Sequence, residues 1–208
     1  MSRVDFSFYL ITDRHQVRSG SLSDVCSAAL HAGVRAIQLR EKDLPTRLLL
    51  TIARELSELT RPSGAHLVIN DRIDLALVVG TRAVHLPVRG ALPSVARGLL
   101  GDNALIASSA HSADEAMQAE ASGADFVVLG PIFETPTKRA FGAPIGLQEL
   151  ERAQKRCGIP LFAIGGITPE RVGEVRRAGA HGVAVVSSVM TAEDVERACI
   201  DFLKALKS

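Results

Sequence analysis

Eight short apolar runs recur about every two dozen residues along the chain. Each is followed by a stretch of helical period, and no linker or low-complexity segment breaks the series. Together these observations predict an α/β chain forming one domain over residues 1–208, a closed (β/α)8 barrel of the TIM type. An open doubly wound sheet is the competing architecture. It offers no reason for eight units with polar groups after nearly every strand.

The expected strands are 8–11, 36–39, 66–69, 83–86, 105–108, 126–129, 161–164 and 183–186. Runs such as Phe126-Val127-Val128-Leu129 are apolar at every position, which suits a parallel strand covered on both faces. After the second strand, Leu48, Leu49, Ile52, Leu56 and Leu59 follow the helical period; late in the chain Val172, Val175 and Ala178 do the same. Ser112-x-x-Glu115 reads as a capping box, and Thr168-Pro169-Glu170 as an N-cap with proline at the first helical position. A weak repeat places Gly33, Gly123 and Gly179 just after a helix and just before a strand. Glycine there can take the left-handed conformation that ends a helix and redirects the chain.

The bulk composition narrows the function. With 208 residues, 47% of them hydrophobic, the chain can bury a substantial core. Lys+Arg 24 against Asp+Glu 23 gives a formal net charge of +1, which points away from nucleic acid and anionic membrane as partners. Any cationic site must be local. Cys26, Cys157 and Cys199 are far apart and lack CxxC spacing, so they read as small core hydrophobes in a reducing compartment. The apolar run near the N-terminus is too short for a signal-peptide core or a membrane span. A cytoplasmic protein is expected.

In a barrel, the segments after the strands meet at one face. In order they are Thr12-Asp13-Arg14, Gln38-x-Arg40-x-Lys42, Asn70-Asp71, 85–90, Ser109-x-His111, 135–138, Gly165-Gly166 and Val186-Ser187-Ser188. Gln38, Arg40 and Lys42 alternate, so in an extended segment they face one side and can cradle an anion. Asp71 could pair with one of those cations or hold magnesium together with phosphate oxygens. Thr135, Thr137 and Lys138 offer two hydroxyls and an ammonium, a set suited to an oxyanion. The glycines after strand seven and the serines after strand eight expose backbone N–H groups where many barrels hold a phosphate. The expected ligands are small and phosphorylated: a polyphosphate near loops two and three, a monophosphate near loops seven and eight. His111 could titrate or lie on the surface, while His31, His66 and His181 fall outside the strand ends and read as structural.

Six segments in the same order and spacing resemble the thiamine phosphate synthase family, which includes the thiazole tautomerases. They are QLREK at 38–42, IND at 69–71, SAHS at 109–112, GPIFETPTK at 130–138, AIGGIT at 163–168 and GVAVVSS at 182–188. The resemblance covers essentially the whole chain. It implies a transferase joining an aminopyrimidine methyl diphosphate to a thiazole phosphate, with Mg2+ as cofactor. It also implies that Gln38, Arg40, Lys42 and Asn70 hold the diphosphate, that Asp71 is a magnesium ligand, and that Ser109 lies near the pyrimidine. By the same resemblance Thr135, Thr137, Gly165, Gly166, Val186 and Ser187 hold the thiazole phosphate, with Lys138 bridging towards the diphosphate. Arg40, Lys42, Lys138, Ser109 and His111 are the implied catalytic set.

One segment departs from the pattern. Synthases have Gly-Gln-x-Asp after the fourth strand, with the aspartate a second magnesium ligand; here 85–90 reads His-Leu-Pro-Val-Arg-Gly. That form is similar to the tautomerase branch, which would use His111 as a proton shuttle on a thiazole carboxylate phosphate. The intact QLREK, IND and TPTK segments favour the synthase. A non-catalytic thiazole-phosphate-binding protein is the third reading, and the residues leave homo-oligomerisation open.

Overall fold

The computed structural model describes residues 3–135 and 143–207. Eight parallel strands close on themselves in the order β1-β2-β3-β4-β5-β6-β7-β8. The first half of the chain contributes β1 (Phe8–Ile11), α1 (Leu22–His31), β2 (Ala36–Leu39), α2 (Thr46–Thr60), β3 (His66–Asn70), α3 (Ile73–Val79), β4 (Ala83–Leu86) and α4 (Pro93–Leu100). The second half contributes β5 (Leu105–Ala110), α5 (Ala113–Ala121), β6 (Phe126–Leu129), α6 (Gly146–Gln154), β7 (Leu161–Ile164), α7 (Val172–Arg177) and β8 (Gly182–Val185). Two further helices, α8 (Ser187–Met190) and α9 (Val195–Ala205), follow.

The strands fall where the apolar runs predict, with three shifts. β3 runs on to Asn70 and β5 to Ala110, while β8 begins at Gly182 and ends at Val185. Asn70 and Ser109 therefore belong to the strands themselves, and Val186 lies just outside. Gly33, Gly123 and Gly179 have φ of 99°, 94° and 97°, the left-handed turn their positions required. In α2 the buried face is Leu49, Ala53, Leu56 and Thr60, whereas Leu48 is 52% exposed. Five leucines and isoleucines at near-helical spacing do not say which edge of the stripe faces in.

Two apolar layers hold the fold. Between strands and helices lie residues such as Leu10, Ile37, Leu56, Leu150 and Phe202, with Phe8 stacked on Phe202 at 5.2 Å. Inside the barrel, Tyr9, Phe126 and Phe162 fill the centre, and Phe6 from the N-terminal segment comes within 5.6 Å of Phe126 and 5.4 Å of Phe162. These rings plug the N-terminal end of the barrel. That end is also stapled by Asp125, which accepts from the Ile106 amide at 2.7 Å and from Arg97 at 2.8 Å. Cys26 and Cys199 are buried, and burial pushes their thiols up to about 12, as inert core residues require. Chemistry is left to the other end of the barrel.

Candidate active site

The first two loops of the C-terminal face are clamped by a carboxylate. Glu41, its side chain 1% exposed, accepts from Thr12 Oγ1 at 2.7 Å, from the Arg14 amide at 3.2 Å and from Arg14 Nη1 at 3.1 Å. Thr12 Oγ1 in turn accepts from the Arg40 amide at 2.9 Å. Arg14 also pairs with Asp43, which with His15 beside it holds that carboxyl well below the usual carboxylate range. Alternation along the chain means that a buried Glu41 leaves Arg40 and Lys42 facing the other way. The half-buried Arg40 guanidinium makes no ion pair with a described residue, and the charges of Arg40 and Lys42 both reach His85.

Four side chains form a chain of hydrogen bonds across the upper barrel. Gln38 Nε2 donates to the Tyr9 hydroxyl at 2.9 Å, the Tyr9 hydroxyl lies 3.3 Å from His85 Nδ1, and His85 Nε2 lies 2.8 Å from Ser109 Oγ. The Tyr9 and His85 rings are nearly parallel, 9° apart, with Phe126 edge-on to Tyr9 at 5.5 Å. Burial, reinforced by Arg40 and Lys42, pulls the His85 ring down to about 3, so it is neutral at physiological pH. Burial likewise pushes the Tyr9 phenol far up. Gln38 is thus engaged inside the barrel by one amide hydrogen, a partner the sequence pattern did not suggest. In the sequence Tyr9 has no assigned role, and His85 enters only as the start of the segment 85–90. Their signal was a polar group at an inward position of β1 and of β4, where apolar residues would otherwise fill the barrel.

On the opposite side, the segment after β6 is folded onto the loop after β7. The Ile132 amide donates to Ile164 O at 2.8 Å and the Phe133 amide to Gly165 O at 3.0 Å. Arg171 caps this contact, donating to Gly166 O at 2.7 Å and lying 4.6 Å over the Phe133 ring. Only glycine fits there: φ is 97° at Gly165 and 64° at Gly166, and a Cβ at Gly166 would lie 2.7 Å from Glu134 O. The Gly165 and Gly166 amides donate to no described residue. Val186 and Ser187 follow β8 at the start of α8, where the first amides of a helix have no intrahelical partner. Thr135 is half-buried at the edge of this region, and Thr137 and Lys138 lie outside the described residues.

Asn70 and Asp71, at the end of β3 between β2 and β4, stand on the same side as Arg40 and His85. Asn70 is paired in register with His85, and Asp71 is exposed with φ 63°, the left-handed conformation, its amide donating to His85 O at 2.9 Å. Aspartate tolerates this conformation better than most residues, and such outliers gather at functional sites. Among the described residues no cluster of three histidines, cysteines or carboxylates could hold a metal unaided. His111 is half exposed, and its ring lies 3.3 Å from Glu115, whose carboxylate also accepts from the His111 amide at 2.6 Å. That bond replaces half of the expected capping box: Ser112 accepts from the Glu115 amide, but the Glu115 side chain reaches past it. His66 and His181 sit at the other end of the barrel, bonded to Asp5 and to Phe6 O.

Fold and mouth together define a barrel enzyme whose C-terminal face gathers cations, the exposed carboxylate of Asp71 and unused amides. Its family follows from comparison. The family model described as thiamine monophosphate synthase matches residues 8–189, and the chain belongs to that family. A thiamine-phosphate synthase of Chloroflexus aurantiacus is 43% identical over 205 residues, covering 99% of this chain and 94% of that protein. One from Clostridium novyi is 39% identical, covering 94% of this chain and 96% of its own. Among solved structures, a thiamine phosphate pyrophosphorylase from Pyrococcus furiosus superimposes with a TM-score of 0.88 at 36% identity, covering 99% of this chain and 97% of the other.

Proposed function

We propose that this chain joins an aminopyrimidine methyl diphosphate to a thiazole phosphate, forming thiamine phosphate and releasing diphosphate. The observation that carries the proposal is near-full-length likeness to proteins named for that product, at 43% and 39% identity. The charge distribution at the mouth is what this reaction requires. The methylene–oxygen bond breaks with its electron pair leaving on the diphosphate, and the electron-rich aminopyrimidine delocalises the resulting cation. The thiazole nitrogen then donates its lone pair to the methylene carbon.

Negative charge grows on the leaving group, so donors fixed there lower the barrier most. Arg40 and Lys42, with Asn70, supply them on one side; Glu41 and Thr12 hold the Arg40 backbone so that little reorganisation is needed. The unused Gly165 and Gly166 amides, with Thr135, Val186 and Ser187, suit the thiazole phosphate on the other. Thr137 and Lys138 join them by the family resemblance. Magnesium fits Asp71 as its one protein carboxylate, with phosphate oxygens and water completing the shell, and when bound it would neutralise charge on the diphosphate. The partners are thus small phosphorylated molecules, and no helix among the described residues is long and apolar enough to cross a membrane.

The test is direct. Purified protein, the two substrates and magnesium are mixed, and thiamine phosphate is sought. Its formation is the expected result. Absence of product, with isomerisation of a thiazole carboxylate phosphate instead, would transfer the assignment to the tautomerase reading that the His-Leu-Pro segment favours.

A further inference from the structure

The hydrogen bonds from Gln38 to Ser109 have a direction. Gln38 Nε2 can only donate, so the Tyr9 oxygen accepts from it, and the Tyr9 hydrogen is left for its other polar neighbour, His85 Nδ1. A neutral imidazole that accepts at Nδ1 carries its hydrogen on Nε2, which then donates to Ser109 Oγ at 2.8 Å. The Ser109 oxygen is therefore an acceptor towards the barrel interior, and its own hydrogen must point elsewhere. Ser109 is the half-buried residue of this chain, next to the C-terminal end of β5, while Tyr9, Gln38 and His85 are buried.

We infer that Tyr9 and His85 are positioning residues: they make the Ser109 hydroxyl a fixed hydrogen-bond donor to an acceptor nitrogen of the substrate's heteroaromatic ring. The inference rests on the proposed function for the identity of that ring and on the geometry above for everything else. A serine left to rotate could donate or accept equally well. Locked from below, it selects a ring edge presenting a lone pair and turns away one presenting an N–H, which would leave two hydrogens facing each other. The stacked rings and the edge-on Phe126 hold the relay rigid.

Two measurements test the inference. In the unmodified protein labelled with 15N-histidine, the His85 ring should show the neutral tautomer protonated at Nε2 from pH 6 to pH 9. A ring protonated at Nδ1 and bare at Nε2 would overturn the inference. In kinetics, Tyr9→Phe should lower kcat/KM for the aminopyrimidine diphosphate about 3- to 10-fold, the usual weight of one neutral hydrogen bond, with KM for the thiazole phosphate unchanged. Added to Ser109→Ala, the same substitution should cost clearly less than it does in the parent, because its effect through Ser109 is already gone and only its bond to Gln38 remains. His85→Gln, which can offer an N–H in place of Nε2, should retain more activity than His85→Leu. Additive losses in the Tyr9/Ser109 pair would show that Tyr9 only supports the core. If the parent protein makes no thiamine phosphate, the proposed function falls, and the NMR result still decides the direction of the relay.

Discussion

A Cβ placed on Gly90 would lie 3.1 Å from Asp71 Oδ1. The loop after β4 thus brings position 90 against the exposed carboxylate of Asp71, the residue that the family resemblance would make a magnesium ligand. Gly90→Asp should accordingly put two carboxylates side by side. The expected outcome is a magnesium requirement for half-maximal rate lowered on the order of tenfold, since ligand charge count tunes divalent-cation affinity. The new Cβ would also meet Pro87 Cδ at 2.8 Å, so some loss of stability accompanies the gain. Arg89, exposed and without an ion pair to a described residue, is the control for substituted positive charge. Magnesium titrations of parent, Gly90→Asp and Arg89→Ala decide the matter; three superimposable curves would refute it.

Arg40→Ala and Lys42→Ala should each weaken use of the diphosphate substrate by about 1.5–3 kcal/mol, the usual worth of a charge-assisted contact. KM for the thiazole phosphate should stay within twofold. Normal turnover in both variants would show that the cradle lies elsewhere.

Glu41→Ala removes the acceptor shared by Thr12 and Arg14 from a site that is closed to solvent. Its expected cost is about 2–3 kcal/mol of folding stability, seen as a lower urea midpoint. A raised KM for the diphosphate substrate should accompany it, because the Arg40 amide hangs on Thr12. Unchanged KM with lowered stability would confine Glu41 to the scaffold.

His85 also predicts how stability depends on pH. Its folded value is about 3 against an ordinary 6.5, so the unfolded chain binds the extra proton between those limits. The contribution of the neutral ring is complete above pH 6.5 and is lost as pH falls towards 3. The loss is about 1.4 kcal/mol per unit, or about 2 kcal/mol between pH 7 and pH 5. Urea unfolding at the two pH values should show this slope in the parent and not in His85→Gln. Equal slopes would mean the ring is protonated in the fold.

Much of this molecule was legible in its residues because the information lay in periodicity. Parallel barrel strands are covered on both faces, so all eight register as apolar runs; the ends of β3 at Asn70 and of β5 at Ser109 and Ala110 lie beyond those runs, and β8 starts one residue earlier. The proposed anion-binding residues could be nominated from sequence because cations, glycines and hydroxyls stand immediately after strands. Hydrogen-bond partners across the barrel were not visible. Tyr9 and His85 are far apart in sequence, and nothing local says that their rings stack. Glu41 stands between two cations, and alternation alone turns it to the side opposite theirs, where Thr12 and Arg14 meet it. The Ser21–Asp24 capping box that starts α1 escaped for a simpler reason: its second member is aspartate, not glutamate.

The pairing of β1 with β8 sets a condition on how the chain becomes a protein. Phe8 finds Val183, and Leu10 finds Val185, across nearly the full length of the sequence. Until β8 has been synthesised, a nascent chain carries an open sheet with two unpaired margins, each a template for another chain. Local units can form early, but the contact that removes both margins has the longest reach of any in the sheet and must come late. Ring closure is thus a single event that ends the exposure of both margins at once. A ribosome stalled short of residue 182 would release a sticky ribbon, and one that finishes releases a sealed barrel.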